Sequence, residues 1–155
     1  MEAIDVLILM GSKSDLPIMA KTTAILEEYG VRSKTLIRSA HRTPEATVAT
    51  VKEAEAAGCQ LFICAAGMAA HLAGVVASKT IKPVIGVPIA SGPLQGQDAL
   101  LSTVMMPPDI PVATVGINSA KNAGLLAIQM LALNNAALAQ QLKDTRAGQA
   151  IPQDE

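Results

Sequence analysis

Ser39-Ala40-His41-Arg42-Thr43-Pro44 joins an apolar segment to a helical one and carries the residue types of a proton-transfer site. Histidine is the side chain whose unperturbed pKa lies near neutrality, so His41 can exchange a proton at ordinary pH. Arg42 stays charged and presents a rigid fork of donors that matches a phosphate or carboxylate. The chain holds two histidines. The second, His71, lies in Ala65-Ala66-Gly67-Met68-Ala69-Ala70-His71-Leu72, a run of small residues where backbone can approach a flat ligand closely. Gly11-Ser12-Lys13-Ser14-Asp15 is the third candidate: hydroxyls and free N–H groups at a helix N-terminus suit an anion. Asp15 repels phosphate and is better matched to ribose hydroxyls or to capping. The segment is neither G-x-G-x-x-G nor G-x-x-x-x-G-K-[ST], so dinucleotide or triphosphate binding has no support. Each segment also has a plain structural reading: capping and turn-making for 11–15, a backbone-bonded loop histidine for His41, a structural histidine for His71.

The elements around these segments alternate strand and helix. Apolar runs at Ile4–Met10, Val31–Ile37, Leu61–Ala65, Val84–Ile89 and Val112–Ile117 read as strands, the first fit to be covered on both faces and the second more alternating. Ile18, Met19, Thr22, Ile25, Leu26 and Tyr29 recur at helical spacing, with Ser14 or Asp15 as N-cap, Pro17 in the first turn and Gly30 as the stop. Thr43-Pro44-Glu45 reads as N-cap, first-turn proline and dipole-matched acid of a helix that closes at Gly58. Further helices are expected from about Ala69 to Lys79, from Asp98 through Thr103, from Asn122 to Leu133, and on to about Lys143. The pattern predicts a single α/β domain over 1–155, with 144–155 a loose tail or one draped on a neighbour. It implies a five-stranded parallel sheet with helices on both faces and right-handed crossovers. Ligands of such sheets bind outside the carboxyl ends of the strands, where 11–15, 39–44, 66–74 and 90–97 all fall.

Composition narrows the class. A net charge of −1 over 155 residues argues against a nucleic-acid surface. No apolar run reaches the ~20 residues that span a bilayer, and the acidic start Met1-Glu2-Ala3-Ile4-Asp5 is no signal peptide. A cytoplasmic protein is expected, with Cys59 and Cys64 as reduced buried thiols. Neither C-x-x-C nor H-x-x-x-H spacing occurs, so no metal is expected. Tyr29 and Phe62 are the only aromatic residues beside the histidines, a poor provision for clasping a flavin. The helix at 122–133 carries Leu125, Leu126, Ile128, Met130, Leu131 and Leu133, more apolar positions than one stripe needs.

Taken together, G-S-K-S-D at 11–15, S-A-H-R-T-P at 39–44, G-x-A-A-H-L at 67–72, M-P-P-D-I-P-V-A-T-V at 106–115 and N-A-G-L-L-A-I-Q-M-L at 122–131 resemble the class I N5-carboxyaminoimidazole ribonucleotide mutases of purine biosynthesis. The blocks occur in order over nearly the whole chain. The resemblance implies a flavodoxin-like subunit in a homo-octamer, acting on a small-molecule nucleotide without metal or organic cofactor. By position it implies that His41 is the general acid/base, and that Ser12, Ser14, Asp15 and Arg42 bind the nucleotide. It also implies that Gly67 and His71 belong to the loop enclosing the carboxylate and carbon dioxide. Three positions depart from the pattern. Met68 stands where glycine is common, Ala65 replaces another small residue, and Ala73 stands where proline is usual. Two other readings remain open on the residues alone: a class II carboxylase using free carbon dioxide, and a non-catalytic module that binds a phosphosugar or nucleotide.

Overall fold

Every side chain of β1 (Val6–Met10) is closed off from solvent, as a strand at the centre of a sheet covered on both faces requires. The computed structural model describes residues 1–149. β1 pairs on one side with β2 (Ser33–Ile37) and on the other with β3 (Leu61–Gly67). β4 (Val84–Ile89) and β5 (Ala113–Thr114) extend the sheet beyond β3, every pairing is parallel, and the order is β2-β1-β3-β4-β5. This is the flavodoxin-like arrangement, in which the crossover direction reverses between β1 and β3.

Alternation along β1 divides the core in two. Val6, Ile8 and Met10 face α1 (Leu16–Glu28) and α5 (Ala120–Ala132), packing with Met19, Leu26, Ala127 and Ile128. Leu7 and Leu9 face α2 (Pro44–Ala56) and α3 (Leu72–Ala77), packing with Val51, Ala54, Phe62 and Val76. The α1–α5 contact depends on glycine. A Cβ at Gly124 would lie 2.3 Å from Ile25 Cγ2, so Gly124 permits an approach that alanine forbids, and Thr22 Oγ1 donates to Ala120 O across it at 2.7 Å. Cys59 and Cys64 are free and buried, and burial pushes the Cys59 thiol up to about 11 and raises that of Cys64 as well.

Several boundaries differ from the sequence expectation. β3 runs on past Ala65 to Gly67. The third helix is shorter than 69–79, covering Leu72–Ala77, and it follows a turn in which Met68 has a left-handed backbone (φ 55°). β5 shrinks from the expected 112–117 to Ala113–Thr114 at the sheet edge. α4 (Gln97–Val104) begins one residue before Asp98. α6 (Ala136–Gln149) corrects the expected loose tail in part: the helix continues through 144–149, held by a bond from Tyr29 Oη to Thr145 Oγ1 at 2.8 Å. The remainder of that tail lies outside the described residues. Among the described residues no helix is long and apolar enough to cross a membrane.

Candidate active site

At the carboxyl ends of β1 and β3 lies a cavity of about 470 Å³, of the size that holds small ligands. Its walls come from four strand exits: Gly11, Ser12, Ser14 and Asp15 after β1; Ser39 to Arg42 after β2; Ala66 to Leu72 at the end of β3; and Ser91 after β4. All seven residues singled out for the site, Ser12, Ser14, Asp15, His41, Arg42, Gly67 and His71, meet there. Ser91 was foreseen only as part of the 90–97 loop. Its signal is steric, since a Cβ at Gly67 would come 2.1 Å from Ser91 Oγ, a constraint between segments that no local pattern reveals. A larger groove of about 1050 Å³, lined by residues such as Lys79, Ile81, Pro83 and Pro111, lies away from all of these groups.

The β1 exit is a capped 3₁₀ turn (Lys13–Asp15) rather than a direct entry into α1. Ser12 Oγ accepts from Ser14 N–H at 3.3 Å and from Ser14 Oγ at 2.9 Å, while Asp15 Oδ2 accepts from Ser12 N–H at 3.1 Å. This reciprocal capping box makes Ser12 the residue whose side chain caps the turn, while Asp15 takes the expected N-cap position of α1 without a side-chain cap bond. Asp15 is 5% exposed, and burial raises its carboxyl above the ordinary value against the opposing pull of the Ser12 and Ser14 bonds.

The β2 exit presents the histidine and the arginine. Thr43 stands at the N-cap of α2 but makes no cap bond. Its hydroxyl instead accepts from Ser39 N–H at 3.0 Å and donates to Ser39 O at 3.2 Å, which closes the loop on itself. Ser39 Oγ accepts from Arg42 N–H at 3.1 Å and from Arg42 Nε at 3.4 Å, and Arg42 Nη2 donates to Gly11 O at 2.8 Å. The guanidinium thus ties the β2 exit to the β1 exit at the wall of the cavity.

His41 Nε2 lies 2.7 Å from His71 Nδ1, with the ring centroids 4.9 Å apart and the planes at 88°. Two imidazoles therefore meet in the cavity that also holds Arg42. Opposite them, Gly67, Met68 and Ala69 supply a wall of backbone and small side chains. Met68 departs from the expected glycine at a backbone angle that glycine adopts without strain. For methionine the left-handed conformation costs roughly 1–2 kcal/mol.

The AIR carboxylase family pattern matches residues 5–151 of this chain. The chain belongs to the AIR carboxylase family. It is 52% identical over 136 residues to the N5-carboxyaminoimidazole ribonucleotide mutase of Pyrococcus horikoshii, spanning 88% of this chain and 77% of that protein. It is likewise 52% identical over 139 residues to the mutase of a Synechocystis species, spanning 90% and 79%. Among solved structures, PurE of Treponema denticola superposes with a TM-score of 0.86 at 34% identity, over 94% of this chain and 90% of that one. The flavodoxin-like sheet and the family resemblance read from the five sequence blocks agree with these likenesses.

Proposed function

We propose that this chain is an N5-carboxyaminoimidazole ribonucleotide mutase, which moves a carboxylate from the exocyclic nitrogen of an aminoimidazole ribonucleotide to ring carbon C4. The observation that carries the reading is the His41–His71 contact at 2.7 Å in a cavity that also holds Arg42 and the Gly67 loop. The likeness to the named mutases supports it over most of the chain.

The chemistry asks for few groups. The carbamate C–N bond breaks, its electron pair stays on nitrogen, and nitrogen takes up a proton from His41 as carbon dioxide is released. C4 of the electron-rich ring then attacks carbon dioxide. The C4 proton leaves to His41, which restores aromaticity, so the net change is an isomerisation. Carbon dioxide is small and apolar, and a close wall of Gly67, Met68 and Ala69 suits its retention between the two steps. Ser12, Ser14 and Arg42 offer hydroxyls, N–H groups and a fork of donors to the phosphate, and Asp15 offers a carboxylate to ribose hydroxyls. In this reading the enzyme works as a homo-octamer in the cytoplasm. Leu94, Leu101, Val104 and Met105, all exposed in the single chain, are the side chains a neighbouring subunit would cover.

An ultraviolet assay tests the reading. Purified protein is expected to turn over N5-carboxyaminoimidazole ribonucleotide, and to leave aminoimidazole ribonucleotide with bicarbonate unchanged at the same enzyme concentration. Turnover of the second pair alone would make the chain a carboxylase, and binding without turnover of either would make it a sensor.

A further inference from the structure

The backbone of the turn that carries His71 is bonded by a single side chain from another element among the described residues. Its backbone turns sharply: Gly67 is pressed on Ser91, Met68 is left-handed at φ 55°, and His71 N–H donates to Ala69 O at 3.0 Å. Ala70, at the centre of the turn, is 1% exposed, so its N–H has no water to turn to. Its partner is Ser102 Oγ on α4, which accepts from Ala70 N–H at 3.0 Å. The same hydroxyl donates to Asp98 O one helical turn back at 2.7 Å and lies 3.4 Å from Met68 O. Among the described residues no other side chain bonds the backbone of 68–71. Ser102 does not line the cavity and carries no charge.

We propose that Ser102 is a positioning residue: its hydroxyl clamps the Met68–His71 turn to α4 and so sets the place of His71 against His41. The proposal rests on the mutase reading for its kinetic consequence but not for its structural one. With the hydroxyl removed, the Ala70 N–H loses its acceptor and the strained Met68 conformation loses its restraint. The turn relaxes, and His71 moves from its 2.7 Å contact. Displacement of an active-site group by about 1 Å lowers a rate by up to roughly 10²-fold. Groups that bind phosphate and ribose sit on other loops, so substrate affinity is spared.

The test compares Ser102→Ala and Ser102→Thr in the full-length protein. Ser102→Ala is expected to lower kcat by about 30- to 100-fold with KM within about threefold, and Ser102→Thr, which keeps the hydroxyl, to restore kcat to within about threefold. Wild-type kcat in Ser102→Ala, even with a lowered melting temperature, would overturn the proposal. So would equal impairment of both variants. Nitrogen-15 shifts of the two histidine rings, read in the ligand-free proteins, give a result independent of turnover. They are expected to change in Ser102→Ala and to return in Ser102→Thr, and unchanged shifts would overturn the proposal whether or not the wild type is a mutase. Should Ser102→Ala fail to fold, amide exchange in the wild type decides: slow exchange at Ala70 supports the clamp, and exchange as fast as in an open loop overturns it. An inactive wild type with the expected shifts would refute the mutase reading alone.

Discussion

His41 Nε2 and His71 Nδ1 are joined at 2.7 Å although 30 positions separate the residues in the chain. At that distance one nitrogen donates and the other accepts, so the tautomer of one ring dictates that of the other. In the neutral pair the outer nitrogens, His41 Nδ1 and His71 Nε2, carry the complementary tautomers.

Replacement of His41 by asparagine is expected to lower kcat by about 10²–10⁴-fold, the usual contribution of a general acid–base group. KM should stay within about tenfold, because the proposed phosphate and ribose contacts lie on other residues. If the rings act as a unit, the double variant with His71→Asn loses less than the product of the two single losses. Steady-state kinetics of the three variants checks both points. Near-normal kcat in His41→Asn would remove it from the chemistry.

Arg42 makes a second kind of prediction, because it already anchors two loops through Gly11 O and Ser39 Oγ. Arg42→Ala should raise KM by ten- to a hundredfold, corresponding to the ~1.5–3 kcal/mol of a charged hydrogen bond. Arg42→Lys should recover little, since a lysine cannot donate to Gly11 O and to a ligand in the same planar geometry. Unchanged KM and inhibitor affinity in Arg42→Ala would show that the fork serves the loops alone.

How much of this was legible in the sequence depends on whether a feature is local. The strand exits that carry Ser12, His41 and Gly67 could be read because buried parallel strands are continuous apolar runs, and ligands gather at their carboxyl ends. The ordered family blocks brought the same residues forward independently. Ser102 could not be read: a serine inside a short helix looks like solvent-facing filler until the fold sets it under Ala70, 32 positions away. The short β5 and the extended α6 escaped for a similar reason. An apolar run at a sheet edge pairs only where its neighbour reaches, and polar 144–149 stays helical through one hydroxyl contact to Tyr29. The ledger at Met68 is informative too, since the departure from glycine noted in the sequence falls on a left-handed position.

Asp15 gives a pH prediction with a definite sign. Burial raises its carboxyl in the folded protein above the unfolded value, so folding is opposed wherever the group must be charged. The contribution of Asp15 to wild-type stability should therefore fall as pH rises from the ordinary carboxylate value through the raised one, and level off above it. Asp15→Asn has no such slope. Its melting temperature relative to wild type should rise across that window and be most favourable near neutrality, offset by partial loss of the capping box with Ser12. Ligand affinity should fall at the same time, because the charge proposed for the ribose hydroxyls is gone. Melting curves from pH 3 to pH 7 for the two proteins would check this, and parallel curves would show that the carboxyl is not perturbed.

The last prediction concerns assembly. The sequence places the demand for a neighbour on α5, yet α5 buries Ala123, Ala127, Ile128 and Leu131 within its own chain, and α6 covers part of its outer side. Leu125, Leu126 and Met130 are half-buried and Leu133 is 83% exposed. The stronger demand lies on α4 and its flanks, where Leu101 at 60%, Met105 at 77% and Leu94 at 56% stand in water, and where Ser102 of α4 bonds the Ala70 backbone beside the cavity. A patch of that kind on a single chain favours closed symmetric association. Light scattering on purified protein should give a multiple of the 16.0 kDa chain mass, eight in the proposed assembly. Leu101→Asp combined with Met105→Asp should lower that mass and lower turnover with it, since the buried face borders the site. A 16.0 kDa particle with full activity at micromolar concentration would place the working unit in the single chain and leave the α4 patch without a subunit to cover it.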